Sequence, residues 1–156
     1  MDFPALLKEF TGAVEAGDGK RLGALFTADG TYHDTFYGEF RGPAAIAEML
    51  ENRFWKDAQD FRWSMRHPVC DGKTGYAEWT FSYTSTMADS AGKRVIAEGM
   101  SRFALQDGKI QHYGEIFDGA LALSQLGFPP ERIAKLLRKW NEQRRALPQA
   151  AAHLKV

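Results

Sequence analysis

The chain has 156 residues, of which 20 are basic and 20 acidic, so its formal net charge at neutral pH is zero. This length fits one domain with a self-sufficient core, and the balanced charge gives no electrostatic basis for binding nucleic acid or an anionic membrane surface. The single cysteine, Cys70, excludes an internal disulfide and a zinc site built from several cysteines.

The first residues and the aromatic content narrow the class of protein further. The opening segment MDFPALLKEF has neither the basic part nor the long apolar run of a signal peptide, and no stretch reaches 18 apolar residues. We therefore expect a soluble, cytoplasmic protein without a membrane segment. Aromatic residues make up 13% of the chain, which would suit an apolar ligand pocket.

The first quarter of the chain has helical periodicity. Apolar residues at positions 3, 6, 7, 10 and 14 share one helix face, and Gly17 is suited to end this helix. Asp18 can cap a short second helix. The dipeptide Asp29-Gly30 indicates a turn, after which a short strand is predicted from Thr31 to Tyr37.

A loop and a third helix follow this strand. Gly38 and Gly42 bracket the predicted loop, and Pro43 is suited to the first position of a helix that runs to Phe54. From residue 60 the apolar period changes from 3.6 to 2, which predicts strands over residues 61–66, 77–84, 94–105 and 109–118. Pro68 should disturb the end of the first of these strands.

Turn signals separate the strands, and helical spacing returns after residue 118. Asp-Gly pairs at residues 71–72 and 107–108 predict hairpins, and residues 89–92 a further turn. Pro129-Pro130 opens a last helix with apolar residues at 133, 136, 137 and 140 on one face, and the tail from Pro148 is expected to fray. Helices followed by an antiparallel meander predict an α+β fold, with a main domain over residues 1–128 and a C-terminal helix over 129–156 that packs on it and covers the pocket mouth.

Several short motifs occur in a characteristic order. They are Ala16-Gly17-Asp18, LFTADG at residues 25–30, a short strand, RGPAAI at residues 41–46, and EIFD at 115–118 followed by QLG at 125–127. This order resembles the nuclear-transport-factor-2-like superfamily, and its end resembles the SnoaL-like branch. The resemblance implies a cone-shaped, curved antiparallel sheet with N-terminal helices packed over a pocket. The superfamily contains isomerases, epoxide hydrolases, cyclases, dehydratases, lyases and non-catalytic binding domains, so the resemblance does not fix the reaction.

Within that superfamily the opening segment is most similar to ketosteroid isomerase. That enzyme uses an aspartate base and an oxyanion hole built by a tyrosine and a protonated aspartic acid. The resemblance places Asp34 at the base, Phe10 at the tyrosine and Met100 at the protonated acid. Because neither Phe10 nor Met100 can donate a hydrogen bond, the resemblance argues against steroid isomerisation.

Strand alternation predicts which side chains point into the pocket, because residues two apart share a face. If Asp34 points inward, so do Tyr32 and Phe36, whereas His33 and Thr35 point outward. A one-residue register slip would exchange Asp34 and His33, so His33 stays a candidate general base. The inward residues predicted on the later strands are Trp79, Phe81, Tyr83, Glu98, Met100, Arg102, Tyr113, Glu115 and Phe117.

Carboxylates among aromatic rings suggest acid–base chemistry, since burial raises a carboxyl pKa toward neutrality. We expect Asp34 to move a proton and Glu115 to be the second acid or base. Arg102 would stabilise negative charge or position an acid, and Tyr32 and Tyr113 would hydrogen-bond the substrate. Residues expected to form the substrate-binding wall are Phe10, Phe36, Trp79, Phe81, Tyr83, Glu98, Met100, Tyr113 and Phe117.

Each of these roles has a structural alternative. Arg102 and Glu115 could be ion-pair partners across the sheet with no part in catalysis. Asp34 could be a solvent-exposed aspartate at a strand edge. The last helix either covers the pocket mouth with its basic face in solvent or forms a second contact surface. The residues of that surface would be Trp140, Lys135, Arg138, Lys139, Arg144 and Arg145.

The sequence contains no glycine-rich phosphate loop, no cofactor signature and no metal-ligand spacing. We therefore expect no cofactor and no metal, and a reaction run by side chains alone: isomerisation, elimination, retro-aldol cleavage, cyclisation or addition of water to an epoxide. The expected substrate is small and apolar, aromatic or polycyclic.

The main alternative to an enzyme is a non-catalytic binding or dimerisation module filled by its own rings. The outward residues of the strand at 77–84 have the mixed polarity of a subunit interface, and family members are frequently oligomeric, so a homodimer or higher homo-oligomer is expected. An open cavity of at least ~300 Å³ that reaches Asp34 would favour catalysis or ligand binding. A ring-filled interior would favour the module.

Overall fold

Two capped helices open the chain in the computed structural model, which describes residues 1–155. They are α1 (Phe3–Ala16) and α2 (Gly19–Ala24). Asp18 caps α2 by accepting a hydrogen bond from the Arg21 amide at 2.8 Å. Gly17 ends α1 with φ 67°, a left-handed conformation that glycine adopts without steric cost. The two predicted helices and the glycine stop are confirmed.

The third predicted helix is built from three short pieces. They are α3 (Pro43–Met49), a π-helical turn (Leu50–Phe54) and α4 (Trp55–Asp57). The buried residues Ile46, Met49 and Leu50 pack into the same core as α1. The Trp55 indole N–H donates to the carbonyl of Val14 at 2.9 Å, which ties the end of this helical segment to α1.

Six strands form one sheet. They are β1 (Phe26–Asp34), β2 (Gly38–Arg41), β3 (Ala58–Cys70), β4 (Thr74–Ser85), β5 (Arg94–Gln106) and β6 (Lys109–Phe117). Their order across the sheet is β2-β1-β6-β5-β4-β3. All neighbours are antiparallel except β1 and β6, which run parallel. The α+β class is confirmed, with one parallel contact in a sheet expected to be antiparallel.

The region between α2 and α3 differs from the prediction. Asp29 and Gly30 lie inside β1 instead of forming a turn, and β2 occupies the predicted loop. The pairing of β1 with β6 shifts register between Phe26 and Thr31, so the strand contains an irregularity where the sequence signals a turn. The four residues of β2 are too few to show alternation.

The later strands and their turns match the sequence pattern. Hairpin turns occur at Asp71-Gly72 and Asp107-Gly108, and both glycines have positive φ. The pairing of β3 with β4 shifts register between Arg66 and Val69, which confirms the disturbance expected at Pro68. β5 and β6 also shift register between Ala104 and Leu105.

Two helices follow the sheet, α5 (Gly119–Gln125) and α6 (Pro130–Arg145), and the tail continues as a 3-10 turn (Pro148–His153). None of the residues of α6 is fully buried, and its Leu136 and Trp140 pack against α5 and β5 from one side. The division of the chain at residue 128 stays a prediction. Among residues 1–155, no helix combines the length and apolar character needed to cross a membrane.

The inner face of the sheet is covered in two parts. The closed core lies under α1 to α3 and is filled by large side chains; its fully buried rings are Phe10, Phe26, Tyr32, Trp79, Phe103 and Tyr113. The open half lies under α5 and α6, where Val95, Ala122, Leu123 and Leu126 form a small cluster with half-buried neighbours.

Candidate active site

A cavity of about 390 Å³ lies between the sheet and the helices α5 and α6. Its wall is mostly apolar, and the titratable side chains in it are Asp34, Tyr37, Asp57, Tyr83, Glu115, Arg132 and Lys139. The apolar lining residues are Phe36, Phe54, Ala58, Phe61, Trp63, Trp79, Phe81, Met87, Val95, Ala97, Phe117, Ala122, Leu123, Leu126, Phe128, Leu136 and Trp140. The interior is therefore not filled by its own rings.

Small residues on the inner face of β5 leave room for this cavity and for the rings beside it. Val95 and Ala97 line the space, and Gly99 follows them on the same face. A β-carbon added at Gly99 would lie 2.5 Å from the Trp79 ring. The rings of β4 and β6 thus pack across β5 because β5 carries almost no side-chain volume there.

Asp34 is the last residue of β1 and is 5% exposed. Its Oδ1 accepts hydrogen bonds from the backbone amides of Phe36 and Tyr37, each at 2.8 Å. Burial raises the pKa of Asp34 above its usual value, while these two amides and the nearby His33 oppose that rise. The same two hydrogen bonds form the turn that leads into β2, and they hold the Asp34 side chain in one position.

Glu115 lies near the end of β6 and is partly accessible from the cavity. Its Oε2 accepts a hydrogen bond from the Tyr113 hydroxyl at 2.8 Å, and its Oε1 lies 3.4 Å from the Thr35 amide. Burial raises the pKa of Glu115 to about 8, and the negative charge of Asp34 adds to that rise.

The two carboxyl groups act as a pair because both bind the same turn. Asp34 holds the amides of Phe36 and Tyr37, and Glu115 contacts the amide of Thr35. Two short amide bonds stabilise the anion of Asp34, whereas Glu115 accepts one phenol bond and one weak amide contact, and burial with the Asp34 charge raises its pKa to about 8, so Glu115 is protonated near neutral pH. The pair titrates as a unit, with macroscopic pKa values.

A buried chain of hydrogen bonds fixes Glu115 from behind. The Trp79 indole N–H donates to Ser101 Oγ at 2.8 Å, and Ser101 donates to the Tyr113 hydroxyl at 2.9 Å. Tyr113 in turn donates to Glu115. Satisfied buried chains of this kind hold a side chain in one geometry.

Two phenols line the cavity beside the carboxyl pair. Burial and nearby acids raise the pKa of Tyr37 to about 12, and burial with the charge of Asp34 raises the pKa of Tyr83 to about 12. Both groups therefore stay neutral hydrogen-bond donors across the physiological range.

The prediction for β5 is wrong: Glu98, Met100 and Arg102 point to the outer face. Met100 is 47% exposed, and Glu98 accepts a hydrogen bond from the guanidinium group of Arg66 on the outer face. The alternation on β5 was read one residue out of phase. The set of Val95, Ala97, Gly99, Ser101 and Phe103 faces inward and has no charged residue, so the charge pattern agrees with the observed phase. The prediction followed instead the resemblance that placed Met100 inward.

This change of phase removes the roles assigned to three residues. Arg102 cannot position an acid in the cavity or pair with Glu115, because the two side chains lie on opposite faces of the sheet. Glu98 and Met100 do not contribute to the binding wall. The match of Met100 to an inward acid of ketosteroid isomerase also fails, since the inward neighbours of Met100 are Gly99 and Ser101.

Other predicted residues lie inside the protein but away from the cavity. Phe10 and Tyr32 are fully buried and stack with ring centroids 6.0 Å apart in the closed core, and Tyr113 is fully buried beside them. The expected substrate contacts of these three residues are therefore wrong. Tyr113 instead supports Glu115 from behind.

His33 is exposed and pairs with Glu39 of β2 on the outer side of the sheet. Its predicted outward orientation is confirmed, and its reserve role as a base of this cavity is wrong. The inward residues that do meet around the cavity are Asp34, Phe36, Trp79, Phe81, Tyr83, Glu115 and Phe117.

Sequence reasoning missed part of the wall. Phe61 and Trp63 showed clear alternation on β3 but were not assigned to the pocket. Tyr37 lies in the turn that Asp34 builds, where alternation gives no direction. Arg132 and Lys139 enter through the packing of α6, which no local pattern predicts. Residues 1–155 contain no group of three or more His, Cys, Asp or Glu side chains arranged to hold a metal ion.

Comparison with known proteins supports the fold. A Catenulispora acidiphila protein with a ketosteroid isomerase-like fold, solved in complex with trimethylamine, is 19% identical with a TM-score of 0.73, over 82% of this chain and 96% of that one. TsrD from Streptomyces laurentii is 21% identical with a TM-score of 0.68, over 81% and 98%. An LEH-like epoxide hydrolase from M. tuberculosis is 20% identical with a TM-score of 0.64, over 78% and 86%.

The family is established by the sequence itself. No curated protein matches the chain significantly. The model of the SnoaL-like domain matches residues 7–113, which is more than half of the chain and includes β1 with Asp34. The protein belongs to the SnoaL-like domain family.

Proposed function

We propose that this protein is a cofactor-independent enzyme that transfers protons on a small apolar, aromatic or polycyclic substrate. Asp34 is the general base and Glu115 the general acid. The observation that carries the proposal is the placement of two hydrogen-bonded carboxyl groups at one end of an open, ring-lined cavity.

The environments of the two carboxyl groups separate their roles. Two backbone amides stabilise the Asp34 anion, which makes it the member that is ready to accept a proton. Burial and the Asp34 charge hold the pKa of Glu115 at about 8, which makes it an acid at neutral pH. Titratable pairs whose surroundings separate their pKa values are typical of acid–base catalysis.

The simplest reaction is proton abstraction next to a carbonyl group. Asp34 takes the proton from carbon, the C–H electrons form an enolate, and Glu115 gives its proton to the carbonyl oxygen. The products of this step are the enol, protonated Asp34 and ionised Glu115. Return of the proton to another carbon gives an isomer, whereas loss of a leaving group or attack on a second carbonyl gives elimination or cyclisation.

The substrate class follows from the wall. Rings on β3, β4 and β6 offer flat apolar surfaces, among them Phe61, Phe81 and Phe117. The phenols of Tyr37 and Tyr83 can donate hydrogen bonds to a substrate oxygen. They would replace the oxyanion-hole donors of ketosteroid isomerase, whose expected positions are occupied here by Phe10 and Met100. The similarity to the LEH-like epoxide hydrolase makes acid-assisted epoxide opening a further reaction to assay.

The test is deuterium exchange into β-tetralone, a bicyclic aromatic ketone, followed by NMR in deuterium oxide. We expect the wild-type protein to accelerate exchange next to the carbonyl, and Asp34→Asn and Glu115→Gln each to lower the rate at least about a hundredfold. Neither variant should lower the melting temperature. Glu98→Gln is the matched control, since it makes the same change at an acid exposed on the other face, and it should exchange at the wild-type rate.

The exchange rate should also depend on pH, because it depends on the protonation states of Asp34 and Glu115. Exchange requires ionised Asp34 and protonated Glu115, so its rate should fall above about pH 8, where Glu115 loses its proton. Exchange that persists in Asp34→Asn, or a wild-type protein that leaves β-tetralone and a panel of related ketones and epoxides unchanged, would contradict the enzymatic proposal.

The homo-oligomer expected from the sequence is compatible with an enzyme and remains a proposal. The outer face of the sheet exposes the apolar side chains Ile96, Met100 and Ile116, which are 54%, 47% and 75% exposed. Met100 and Ile116 lie directly opposite each other on β5 and β6. Sedimentation of the wild-type protein and of an Ile116→Lys variant would test whether this face joins two chains.

A further inference from the structure

We propose that the molecule bound in this cavity carries an anionic group, which Arg132 and Lys139 of α6 recognise at the wall opposite the sheet. The inference rests on the proposed function only in taking this cavity as the substrate site. It narrows the substrate class from an apolar ring system to an amphipathic one, with the ring against the sheet and a carboxylate or similar anion toward α6.

The first argument is the position of the two cations. Arg132 and Lys139 are seven residues apart on α6, which places them two turns apart on the same helix face, roughly 10 Å along the axis. Leu136 lies between them and also lines the cavity. The helix therefore presents an apolar strip with a positive charge at each end to the cavity.

The second argument is that neither cation pairs with an acid, although both are exposed at the edge of the cavity. Within residues 1–155, the ion pairs use Arg21, Arg41, Arg66 and His67, and no side-chain hydrogen bond involves Arg132 or Lys139. Cations beside an apolar cavity that contact no acid remain available to an anionic ligand. A charge-assisted hydrogen bond to a carboxylate is also stronger than one between neutral groups.

The third argument is that Arg132 is held in place. Its guanidinium group lies 3.9 Å over the ring of Phe128, a residue that lines the cavity. Stacking on an aromatic face restricts the side chain while leaving its N–H donors free at the edge. Less conformational freedom is then lost when a carboxylate binds.

The other charges in the cavity are consistent with this orientation. Asp34 is the last residue of β1, Glu115 lies on β6 and Asp57 ends α4, so no acid that lines the cavity belongs to α6. An anion near the sheet would be repelled by Asp34. Only a substrate that points its anion toward α6 satisfies both walls of the cavity.

Both cations lie outside the segment that matches the family model. The SnoaL-like match ends at residue 113, before α5 and α6 begin. The carboxyl pair lies within or beside the shared part of the fold, whereas both cations belong to the C-terminal addition. Specificity for the substrate would then be carried by α6.

The experiment measures binding of three probes with the same ring by isothermal titration calorimetry at neutral pH and low salt. The probes are naphthoate, naphthamide and naphthylmethylammonium, which share the naphthalene ring and carry a negative, no and a positive charge on a substituent of similar size. We expect naphthoate to bind about fivefold or more tighter than naphthamide, and naphthylmethylammonium to bind most weakly. Added salt should weaken naphthoate binding alone.

Variants then locate the effect. Arg132→Gln and Lys139→Gln should each reduce the preference for naphthoate about two- to fivefold, and the double variant should abolish it. Lys135→Gln and Arg138→Gln remove charges from the same helix that do not line the cavity, and they should retain the wild-type preference. Binding of naphthamide should be similar in the wild-type protein and all five variants.

Several outcomes would overturn the proposal. They are equal affinity for naphthoate and naphthamide, an unchanged preference in the double variant, equal losses in the control variants, and no binding of any probe at millimolar concentration. Tightest binding of naphthylmethylammonium would also overturn it, because it would assign the cavity to a cation held by Asp34 and the rings. Since no turnover is measured, a failed exchange assay and a failed charge preference remain separate results.

Discussion

The closed core and the open half share one sheet but are covered differently. Under α1, ring packs against ring: Phe10 alone lies within 6.4 Å, centroid to centroid, of Phe26, Tyr32, Trp63, Phe103 and Tyr113. Under α5 and α6 the cover is thin, and none of the residues of α6 is fully buried. The sheet is therefore rigidly supported at one end and borders about 390 Å³ of free space at the other.

The carboxyl pair lies where the two parts meet. Tyr113 belongs to the closed core, and Glu115, two residues later on the same face, lines the cavity. The filled side thus supplies the fixed hydrogen bonds and the low dielectric, and the open side supplies access. A site needs both, because a catalytic group must be positioned and must also be reachable.

The largest effect should come from emptying the closed core. Phe10→Ala removes a fully buried ring and should lower the free energy of unfolding by about 3–5 kcal/mol. Phe81→Ala is the matched change in the open half, where the ring already borders free space; it should cost about 1–2 kcal/mol and weaken naphthamide binding. Urea unfolding measures both, and equal losses would show that the two parts are not packed differently.

A smaller effect should appear in the pH dependence of stability. The folded-state pKa of Glu115, about 8, lies above its ordinary value of 4.5, so the folded protein holds this proton more tightly than the unfolded chain does. The Glu115 contribution to stability therefore declines as the pH rises from about 5 to about 8. A difference of one between the folded-state and unfolded-state pKa values changes the free energy of unfolding by about 1.4 kcal/mol.

Glu115→Gln should remove this decline. Near pH 8 we expect the variant to be at least about 2 kcal/mol more stable than the wild-type protein, since the two pKa values set an upper limit of about 5 kcal/mol that the partial exposure of Glu115 lowers. Near pH 5 the two proteins should be similar, as measured by urea unfolding across this range. A decline that is as steep in Glu115→Gln as in the wild-type protein would show that Glu115 is not the group that holds the proton.

The smallest of the three effects concerns the chain that joins the two parts. Ser101→Ala leaves the Trp79 indole N–H without its acceptor and should cost about 1–2 kcal/mol of unfolding free energy. Ser124→Ala removes an exposed hydroxyl and should change it by less than about 0.5 kcal/mol. If Ser101→Ala costs no more than this control, the buried chain does not support Glu115.

Much of this architecture is local and could be predicted. The α1 stripe, the Gly17 stop, the Asp18 cap and the two Asp-Gly hairpins depend on contacts between residues close in sequence, so single-sequence patterns identify them. The resemblance that placed Asp34 at an inward position of β1 depended on motifs of the same local kind.

The phase of β5 was predicted wrongly because the resemblance placed Met100 inward, although the charged residues Arg94, Glu98 and Arg102 all belong to the outer set. Its inner side chains are small where the rings of neighbouring strands need space, and Gly99 faces Trp79 for this reason. Which face is inner depends on β4 and β6, far away in sequence. With Met100 placed inward, Arg102 was assigned to a cavity that it does not reach.

The sequence alone determined the order of the helices and the long strands, the α+β class and the place of Asp34 on a strand, since each depends on local hydrogen bonding and periodicity. The tertiary structure decided which acid accompanies Asp34, which rings fill space and which surround it, and that α6 brings two cations to the cavity. These features depend on how segments far apart in sequence pack against one another, and that packing exists only in the folded protein.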